Sequence, residues 1–387
     1  MLQASIKKSV TKSKYIFGHC KPPQKNLKVC VVVPAKDEAE NIFYTLDALR
    51  NQLHTNGSNV DNSVFEVLLL ANNCIDGTLD IALRYAAEFP AFNLHVTAAI
   101  IPRKKANIGY VRRILMDEAC RRLSLNGSTE GIIASTDGDT VVDKYWLSNI
   151  IQEIALGNDA VGGRILTNNI DPSARLYYLR DVTYRLLQAK VNSIIDHKKN
   201  NPWPCHHQYF GASLAVTCSM YNFCGRLPGV PHLEDMALYN ALVKVDARVR
   251  CSPNVKVYTS GRTDGRVEVG FSEQLKQWVM LNNNHTPQMV EPAASLIIKL
   301  KAKKLLRKCY EIYSENKTIE RNIVKVIADS LMIDEAWLIV EIATATFFGA
   351  LWQITEDAVG EGDFYEEHPS VYIMEAIDGL RKFLKEN

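Results

Sequence analysis

Two aspartates separated by a glycine, Asp137 and Asp139, are the residues of this chain best suited to chemistry. They directly follow an apolar run, residues 131–136, that predicts a buried strand. Because the backbone bends where a strand ends, both carboxylates can face one crevice, and Gly138 lets a ligand come close. Paired carboxylate oxygens suit Mg²⁺ or Mn²⁺, which bind a few protein carboxylates together with substrate phosphates. The same spacing also occurs in solvated turns, so the neighbouring segments must decide between the two interpretations.

Short polar side chains also follow the two preceding predicted strands. Residues 27–33 lead into Pro34-Ala-Lys-Asp37-Glu38, and residues 64–70 lead into Ala71-Asn72-Asn-Cys-Ile-Asp76-Gly-Thr78. An aspartate or asparagine at such a position can hydrogen-bond a nucleobase edge or ribose hydroxyls. The alternative is that these aspartates only cap the helices that follow them.

Strands alternate with helices through the first 160 residues. Predicted strands at 27–33, 64–70, 94–101 and 131–136 alternate with predicted helices at 38–53, 77–89, 109–123 and 143–156. This alternation predicts an α/β fold with a mostly parallel, Rossmann-like sheet covered by helices. In open sheets of this kind ligands bind beyond the carboxyl ends of the strands. All three polar motifs lie at those ends, which favours a single shared site.

The rest of the chain predicts a different organisation. A strand at 159–165, a long helix at 172–195 and a strand at 208–216 are followed by a helical rhythm from 292 to 387. We therefore expect a basic arm (1–26), an α/β domain (27–291) and a C-terminal helical appendage (292–387). The apolar stretch 336–354 predicts a buried helix or a homo-oligomer face. Glu341 inside it disfavours a transmembrane span, although peripheral membrane contact is compatible with it.

Composition narrows the class of protein. The formal net charge of the 387 residues is +2, so no strong overall field favours nucleic acid as a partner. The nine cysteines stand singly and their number is odd, which favours a reducing compartment and hence the cytoplasm. The first 20 residues are basic without a long apolar run, so we expect no secretory signal there.

Taken together, the motifs resemble those of the family 2 glycosyltransferases, which have the GT-A fold. The matching segments are Pro34–Glu38, Asn72–Thr78, the Asp-x-Asp pair and Glu234-Asp235 at a predicted helix start. The resemblance covers about residues 28–272. It implies an inverting, metal-dependent, hexosyltransferase-like enzyme that moves a sugar from a nucleotide-diphosphate donor to a hydroxyl acceptor. The acceptor could be a small molecule, a glycan or a lipid-linked sugar.

The resemblance also implies a role for each matching residue. The nucleobase pocket and the ribose side would be lined by Pro34, Asp37, Glu38, Asn72 and Asp76. Asp137 would contact ribose or metal, and Asp139 would bind the Mn²⁺ or Mg²⁺ that bridges the diphosphate. Asp235 would be the general base, and Glu234 would orient it or the acceptor. Many family members have a metal-binding histidine where this chain has Tyr258 and Thr259, so the third metal ligand is unassigned.

Two basic loops complete the candidate site. Lys105 and Asn107 follow the third predicted strand, where the family has a loop next to the sugar; the alternative is a solvated loop. Arg262 and Arg266 stand in a glycine-containing loop that could hold a diphosphate, since arginine offers a planar fork of donors.

Two other functions compete with glycosyl transfer. A nucleotidyltransferase would show a glycine-rich loop directly after the first strand, and residues 34–38 contain no glycine. A degenerate sugar-nucleotide-binding or scaffold protein would not need the acidic residues that this chain keeps at 137, 139 and 235.

Overall fold

The computed structural model describes residues 16–125, 130–261 and 270–387, which divide between two compact units. The α/β unit contains the described residues up to Ile170, Gln208–Leu242 and Arg248–Glu273. The helical unit contains Asp171–His207, Val243–Ala247 and Gln274–Asn387.

One eight-stranded sheet organises the α/β unit. Its strands are β1 (Val29–Ala35), β2 (Phe65–Asn72), β3 (Leu94–Ala99), β4 (Ile132–Ser135), β5 (Thr140–Val142), β6 (Ala160–Asn168), β7 (Leu214–Thr217) and β8 (Val249–Ser260). Their order is β3-β2-β1-β4-β7-β6-β8-β5, and four of the seven neighbouring pairs are parallel. The predicted mixed α/β fold with a mostly parallel sheet is therefore confirmed.

Helices follow the strands as the periodicity predicts. They are α1 (Ile42–Arg50), α2 (Thr78–Glu88), α3 (Ile108–Ser124), α4 (Trp146–Ala155), α5 (Pro172–Ile195), α6 (Cys218–Phe223), α7 (Glu234–Lys244) and α8 (Phe271–Asn283). Every residue of β1 and β2 is buried, because helices cover both faces of a parallel sheet. Val31 and Val33 of β1 belong to the same core cluster as Leu46 and Leu49 of α1.

The helical unit holds α5, most of α8 and the remaining elements. These are α9 (Ala293–Asn316), α10 (Arg321–Leu331), α11 (Glu335–Thr344), α12 (Phe348–Glu361), α13 (Phe364–Glu367) and α14 (Ile373–Glu386), with a short antiparallel pair β9 (Met289–Val290) and β10 (Val371–Tyr372). Among the described residues, no helix combines the length and the apolar character needed to cross a membrane.

Two segments differ from their predicted structure. The predicted strand at 208–216 is only half a strand, since Gly211–Ser213 forms a 3-10 turn before β7. The predicted single helix at 336–354 is two helices, α11 and α12. The carboxylate of Asp246 accepts hydrogen bonds from the backbone N of Phe348 (2.8 Å) and Gly349 (2.7 Å), which caps α12 at its first turn. This cap comes from about 100 residues away, so local periodicity could not show the break.

A buried charge network fixes the amino-terminal ends of β2 and β3. The two carboxylate oxygens of Glu66 accept from Nε and one terminal nitrogen of Arg122, both at 2.7 Å. His95 Nε2 lies 3.2 Å from the same carboxylate. Arg122 is only 2% exposed, so the two-point pairing is shielded from water. The network therefore lies at the edge of the sheet opposite to the edge that carries the polar motifs.

Glu66 should make folding stability depend on acid pH. Burial alone would raise its pKa, but hydrogen bonds from Arg122 and His95 outweigh burial and hold the pKa at about 2, below the ordinary 4.5. Because the folded pKa is the lower one, the stabilisation is complete above about pH 5 and is lost as the pH falls towards 2. We expect Glu66→Gln to lower the free energy of unfolding at pH 7 by about 3 kcal/mol.

Urea unfolding between pH 7 and pH 3 measures this effect. The variant should lose less stability than the wild type as the pH falls, while Glu40→Gln, an exposed control, should follow the wild type. Parallel pH profiles for the wild type and Glu66→Gln would contradict the assignment.

Candidate active site

The three polar motifs meet at one edge of the sheet. Strands β2, β1 and β4 are parallel neighbours, so their carboxyl ends lie side by side. A Cβ placed on Gly138 would lie 3.1 Å from Glu38 Cγ and 3.3 Å from Ala35 Cβ. The glycine between the two aspartates therefore lets the acidic turn pack on the end of β1. The Thr45 hydroxyl also donates to the Gly138 carbonyl at 3.0 Å.

Asp37 and Asp76 fasten the loops after β1 and β2 to each other. Asp37 Oδ1 accepts from the backbone N of Ile75 at 2.8 Å, and Asp76 Oδ2 accepts from the backbone N of Ala39 at 2.9 Å. Asp76 Oδ1 also accepts from the backbone N of Thr78, the first residue of α2. Asp76 thus supports a helix start, as the capping alternative predicts, and also joins the two loops.

These aspartates form a group with Cys74 whose ligand atoms lie within 4.8 Å of one another. Each member already makes hydrogen bonds, and the Cys74 thiol lies 3.4 Å from the carbonyl of Ala35. Burial raises the pKa of this thiol, so it stays protonated and is a poor metal ligand. We interpret the group as a connection between the loops.

The other residues predicted to line the nucleobase pocket lie deeper. Glu38 and Asn72 are 7% and 6% exposed, and Pro34 is buried within β1. Pro34 lies beyond Val32, the last residue of β1 that pairs with β4, so its missing N–H costs no bond to that strand. These three residues shape the floor beneath the two loops.

Arg112 links the acidic turn to the Glu-Asp motif. Its guanidinium donates to Glu234 Oε1 (2.9 Å), Asp137 Oδ1 (2.7 Å) and the carbonyl of Gly211 (3.1 Å), and to the Ser135 hydroxyl. The side chain is only 5% exposed. Burial alone would lower its pKa, but Asp137 and Glu234 outweigh burial and raise the pKa further above its usual value. A charged, buried arginine therefore holds two motifs together that are about 100 residues apart.

The sequence interpretation missed Arg112, although a signal was present. Within α3 it shares the buried face with Gly109, Met116 and Ala119, where spacing predicts apolar residues. An arginine on a buried face requires a charged partner. The identity of that partner could not be inferred from the helix alone.

Two glycines allow close packing around Arg112 and at the start of α3. A Cβ on Gly211 would lie 2.6 Å from the Arg112 guanidinium carbon. A Cβ on Gly109 would lie 1.8 Å from the carbonyl oxygen of Val230, so only glycine allows α3 to start against the segment that leads into α7. Position 211 thus requires a glycine because the Arg112 guanidinium packs on it.

Asp235 is the half-buried carboxylate next to this network. Its Oδ2 accepts from the backbone N of Gly211 at 2.8 Å, and its Oδ1 accepts from the backbone N of Met236 at 2.7 Å. Tyr239, one turn further along α7, stacks on Tyr209 with ring centroids 3.6 Å apart. The two backbone donors restrict the position of the Asp235 side chain.

Comparison with known proteins identifies the family of one segment of the α/β unit. Residues 30–214 match the family model for glycosyl transferase family 2. The domain formed by residues 30–214 belongs to glycosyltransferase family 2. The family predicted from the motifs is therefore confirmed. A curated relative, glycosyltransferase AglE of Haloferax volcanii, is 29% identical over 143 residues, which are 35% of this chain and 39% of the relative. The chain thus matches about two fifths of that relative's length.

Two solved structures illustrate the similarity to known proteins. TarS residues 1–349 of S. aureus in complex with UDP has 14% identity and a TM-score of 0.43, covering 93% of this chain and 92% of that chain. The mannosyltransferase PcManGT of Pyrobaculum calidifontis in complex with GDP-Man and Mn²⁺ has 16% identity and a TM-score of 0.41, covering 98% and 93%. Both similarities are low, and the family membership rests on the matched segment.

The acidic turn of the family 2 domain fits a divalent metal. Asp139 is half-exposed, and the Thr140 hydroxyl lies 3.4 Å from its Oδ1. Asp137 gives one oxygen to Arg112, which leaves its second oxygen for another contact. Hard oxygen donors in this number suit Mg²⁺ or Mn²⁺ that also binds a diphosphate. In the part of the chain that the structure describes, no group of three metal-type side chains includes either aspartate.

Strand β8, which carries Tyr258 and Thr259, pairs with the strand that follows the acidic turn. Thr259 of β8 pairs with Thr140 of β5, and their hydroxyl oxygens are 3.2 Å apart. The Thr259 hydroxyl therefore lies close to the acidic turn. The two basic loops are less informative. Asn107 caps α3 through the backbone N of Tyr110 at 2.9 Å, and Lys105 is exposed. Arg262 and Arg266 lie outside the described residues.

Proposed function

We propose that the α/β unit is an inverting, metal-dependent glycosyltransferase that moves a sugar from a nucleotide-diphosphate donor to a hydroxyl acceptor. The observation that carries this proposal is the position of Arg112. It bonds Asp137 of the acidic turn at 2.7 Å and Glu234 of the Glu-Asp motif at 2.9 Å. Transfer requires a donor-binding group and a base at a fixed separation, and this buried arginine holds the two motifs in one arrangement.

On the donor side, Asp139 and the second oxygen of Asp137 would hold the metal. When bound, Mn²⁺ or Mg²⁺ would neutralise negative charge on the leaving diphosphate. The loops joined by Asp37 and Asp76 would receive the nucleoside, above the floor made by Pro34, Glu38 and Asn72. Because these loops are fastened to each other, the nucleoside would enter a largely preformed site.

On the acceptor side, Asp235 would take the proton from the attacking hydroxyl. Its two bonds from backbone N–H groups fix the carboxylate before the acceptor arrives. A base on the face opposite the leaving group leads to inversion at the anomeric carbon. Glu234 is buried against Arg112, so its role would be to position α7 and the base that α7 carries.

A thermal-shift screen tests the proposed function. UDP-, GDP- and dTDP-sugars are added with and without Mn²⁺. We expect at least one donor to raise the unfolding temperature only when Mn²⁺ is present, because ligands that bind the folded state stabilise it. A protein that none of these donors stabilises would contradict the proposal.

Asp139→Asn should weaken metal-dependent donor binding. The amide keeps the size of the side chain but removes the charge that attracts Mn²⁺, so we expect at least about a tenfold loss of affinity, or roughly 1.4 kcal/mol. Calorimetric titration with the best donor, with Mn²⁺ and with EDTA, measures the effect. Asp61→Asn in an exposed loop is the control and should bind like the wild type. Equal affinity in Asp139→Asn and wild type would remove Asp139 from the metal site.

A further inference from the structure

Helix α9 carries three cations on one face, and each lies over an aromatic ring. Lys299, Lys303 and Arg307 are spaced at i, i+4 and i+8, so they project from the same side of the helix. The distances from the cationic groups to the ring centroids are 5.2 Å for Lys299 on Tyr365, 4.8 Å for Lys303 on Trp352 and 4.1 Å for Arg307 on Phe348. All six residues belong to the helical unit.

Among the described residues, each of the outer two cations forms an ion pair with a carboxylate, but the middle one forms none. Lys299 Nζ lies 2.7 Å from Glu291 Oε1, and Arg307 bonds Asp196 at 2.8 and 3.3 Å. Within the described ranges, the Lys303 ammonium forms neither a hydrogen bond nor an ion pair with the protein. The repeated pattern of cation, ring and carboxylate therefore lacks one carboxylate at its centre.

The ring under Lys303 has an unused donor. Trp352 is 3% exposed, and among the described residues its indole Nε1 has no hydrogen-bond partner. A buried N–H without an acceptor is unfavourable, because water has been removed and nothing replaces it. A cation without a directly paired carboxylate and a donor without an acceptor thus belong to the same cation–ring contact.

The surrounding charges leave an excess of positive charge. Lys303, Lys198 and Arg307 face two carboxylates, Asp196 and Glu356, and Asp196 is already paired with Arg307. Burial and then the neighbouring Lys198 lower the pKa of Lys303 to about 8, so the lysine is still mostly protonated at neutral pH. A negatively charged group placed beside Lys303 would offset the excess positive charge and would favour the protonated form of the lysine.

We propose that an oxyanion of the phosphate class binds between Lys303 Nζ and Trp352 Nε1. A phosphate group has several acceptor oxygens, so it accepts from the ammonium and the indole at once. It also supplies the negative charge that Glu291 and Asp196 supply to the outer cations. A water molecule could accept from the indole but would leave the ammonium uncompensated. The group could belong to a free phosphate compound or to the headgroup of a lipid.

Calorimetric titration of the full chain with inorganic phosphate tests the site. Lys303→Met keeps the apolar stem and removes the charge, and we expect it to weaken phosphate binding at least about tenfold. Trp352→Phe keeps a ring but removes the N–H and should weaken binding by about threefold or more. Lys299→Met is the matched control, since that cation already has a partner, and it should bind phosphate like the wild type.

Thermal unfolding in phosphate and in chloride at equal ionic strength separates binding from a general salt effect. Phosphate stabilises many proteins by exclusion from their surface, and that effect would be equal in all variants. In chloride, Lys303→Met should be at least as stable as the wild type, because an uncompensated buried charge has been removed. The additional stabilisation by phosphate should appear in the wild type and Lys299→Met only.

Vesicles identify the source of the group. The protein is sedimented with phosphatidate vesicles and, for comparison, with phosphatidylcholine vesicles. Binding to phosphatidate that is lost in Lys303→Met would assign a lipid headgroup. Binding of inorganic phosphate, without binding to vesicles, that is lost in Lys303→Met would assign a free phosphate compound. If neither binding depends on Lys303, the proposal is wrong. No readout uses sugar transfer, so the outcome is independent of the activity proposed for the α/β unit.

Discussion

Asp235→Asn should lower the rate of sugar transfer by about 10²- to 10⁴-fold, because a hydroxyl acceptor is a weak nucleophile without a positioned base. In the proposed mechanism the carboxylate would act on the acceptor, so the affinity for donor and metal should stay close to that of the wild type. The structure also indicates a loss of folding stability that the position of Asp235 at the start of a helix would not by itself predict. Asp235 accepts two backbone N–H groups, and the amide of asparagine can accept only one of them. We therefore also expect a small loss of stability.

Transfer kinetics and donor titration on the same preparation separate these effects. The unfolding temperature shows whether the variant is folded at the assay temperature, and Asp61→Asn is again the surface control. A transfer rate within threefold of the wild type would remove Asp235 from the role of base. A product that keeps the donor's anomeric configuration would contradict the inverting mechanism itself.

Arg112→Met should be the most destabilising single change in the site. Removal of the guanidinium leaves the Glu234 carboxylate, 5% exposed, buried without a counter-charge. Breaking one side of a buried ion pair commonly costs about 3–5 kcal/mol. Asp137 would also lose its 2.7 Å bond, so donor binding should weaken together with stability.

The neighbouring arginine provides a matched control. Arg113 is 43% exposed and lies 3.9 Å from Asp117, and exposed pairs of this kind contribute about 1 kcal/mol or less. Arg113→Met should therefore unfold close to the wild type in urea. The double variant Arg112→Met/Glu234→Gln should recover part of the loss, because the unpaired charge is gone. If Arg112→Met were as stable as Arg113→Met, the network would not hold the two motifs together.

The sequence predicted the sheet and the meeting of three motifs because both depend on local patterns. Continuous apolar runs define β1 and β2, and parallel strands bring Pro34–Glu38, Asn72–Thr78 and the acidic pair to the same edge. Glycine at 138 was expected to allow a ligand to approach. The structure shows a second reason, since the turn packs directly on Glu38 and Ala35.

The contacts that the sequence did not predict join distant segments. Arg112 meets Glu234 across 122 positions, and Asp37 meets Ile75 across 38. The end of a helix can likewise be set from afar, as Asp246 shows at the start of α12. Periodicity reports which face of an element is buried, but it does not report which charged group lies opposite.

Crystals grown with Mn²⁺ and the donor chosen by the thermal-shift screen test the central claim most directly. Anomalous scattering from manganese locates the ion without assumptions about the ligands. The proposed function predicts an anomalous peak within coordination distance of a carboxylate oxygen of Asp139 and next to the donor diphosphate. A donor and a metal bound elsewhere, with Asp139 uncoordinated, would contradict it.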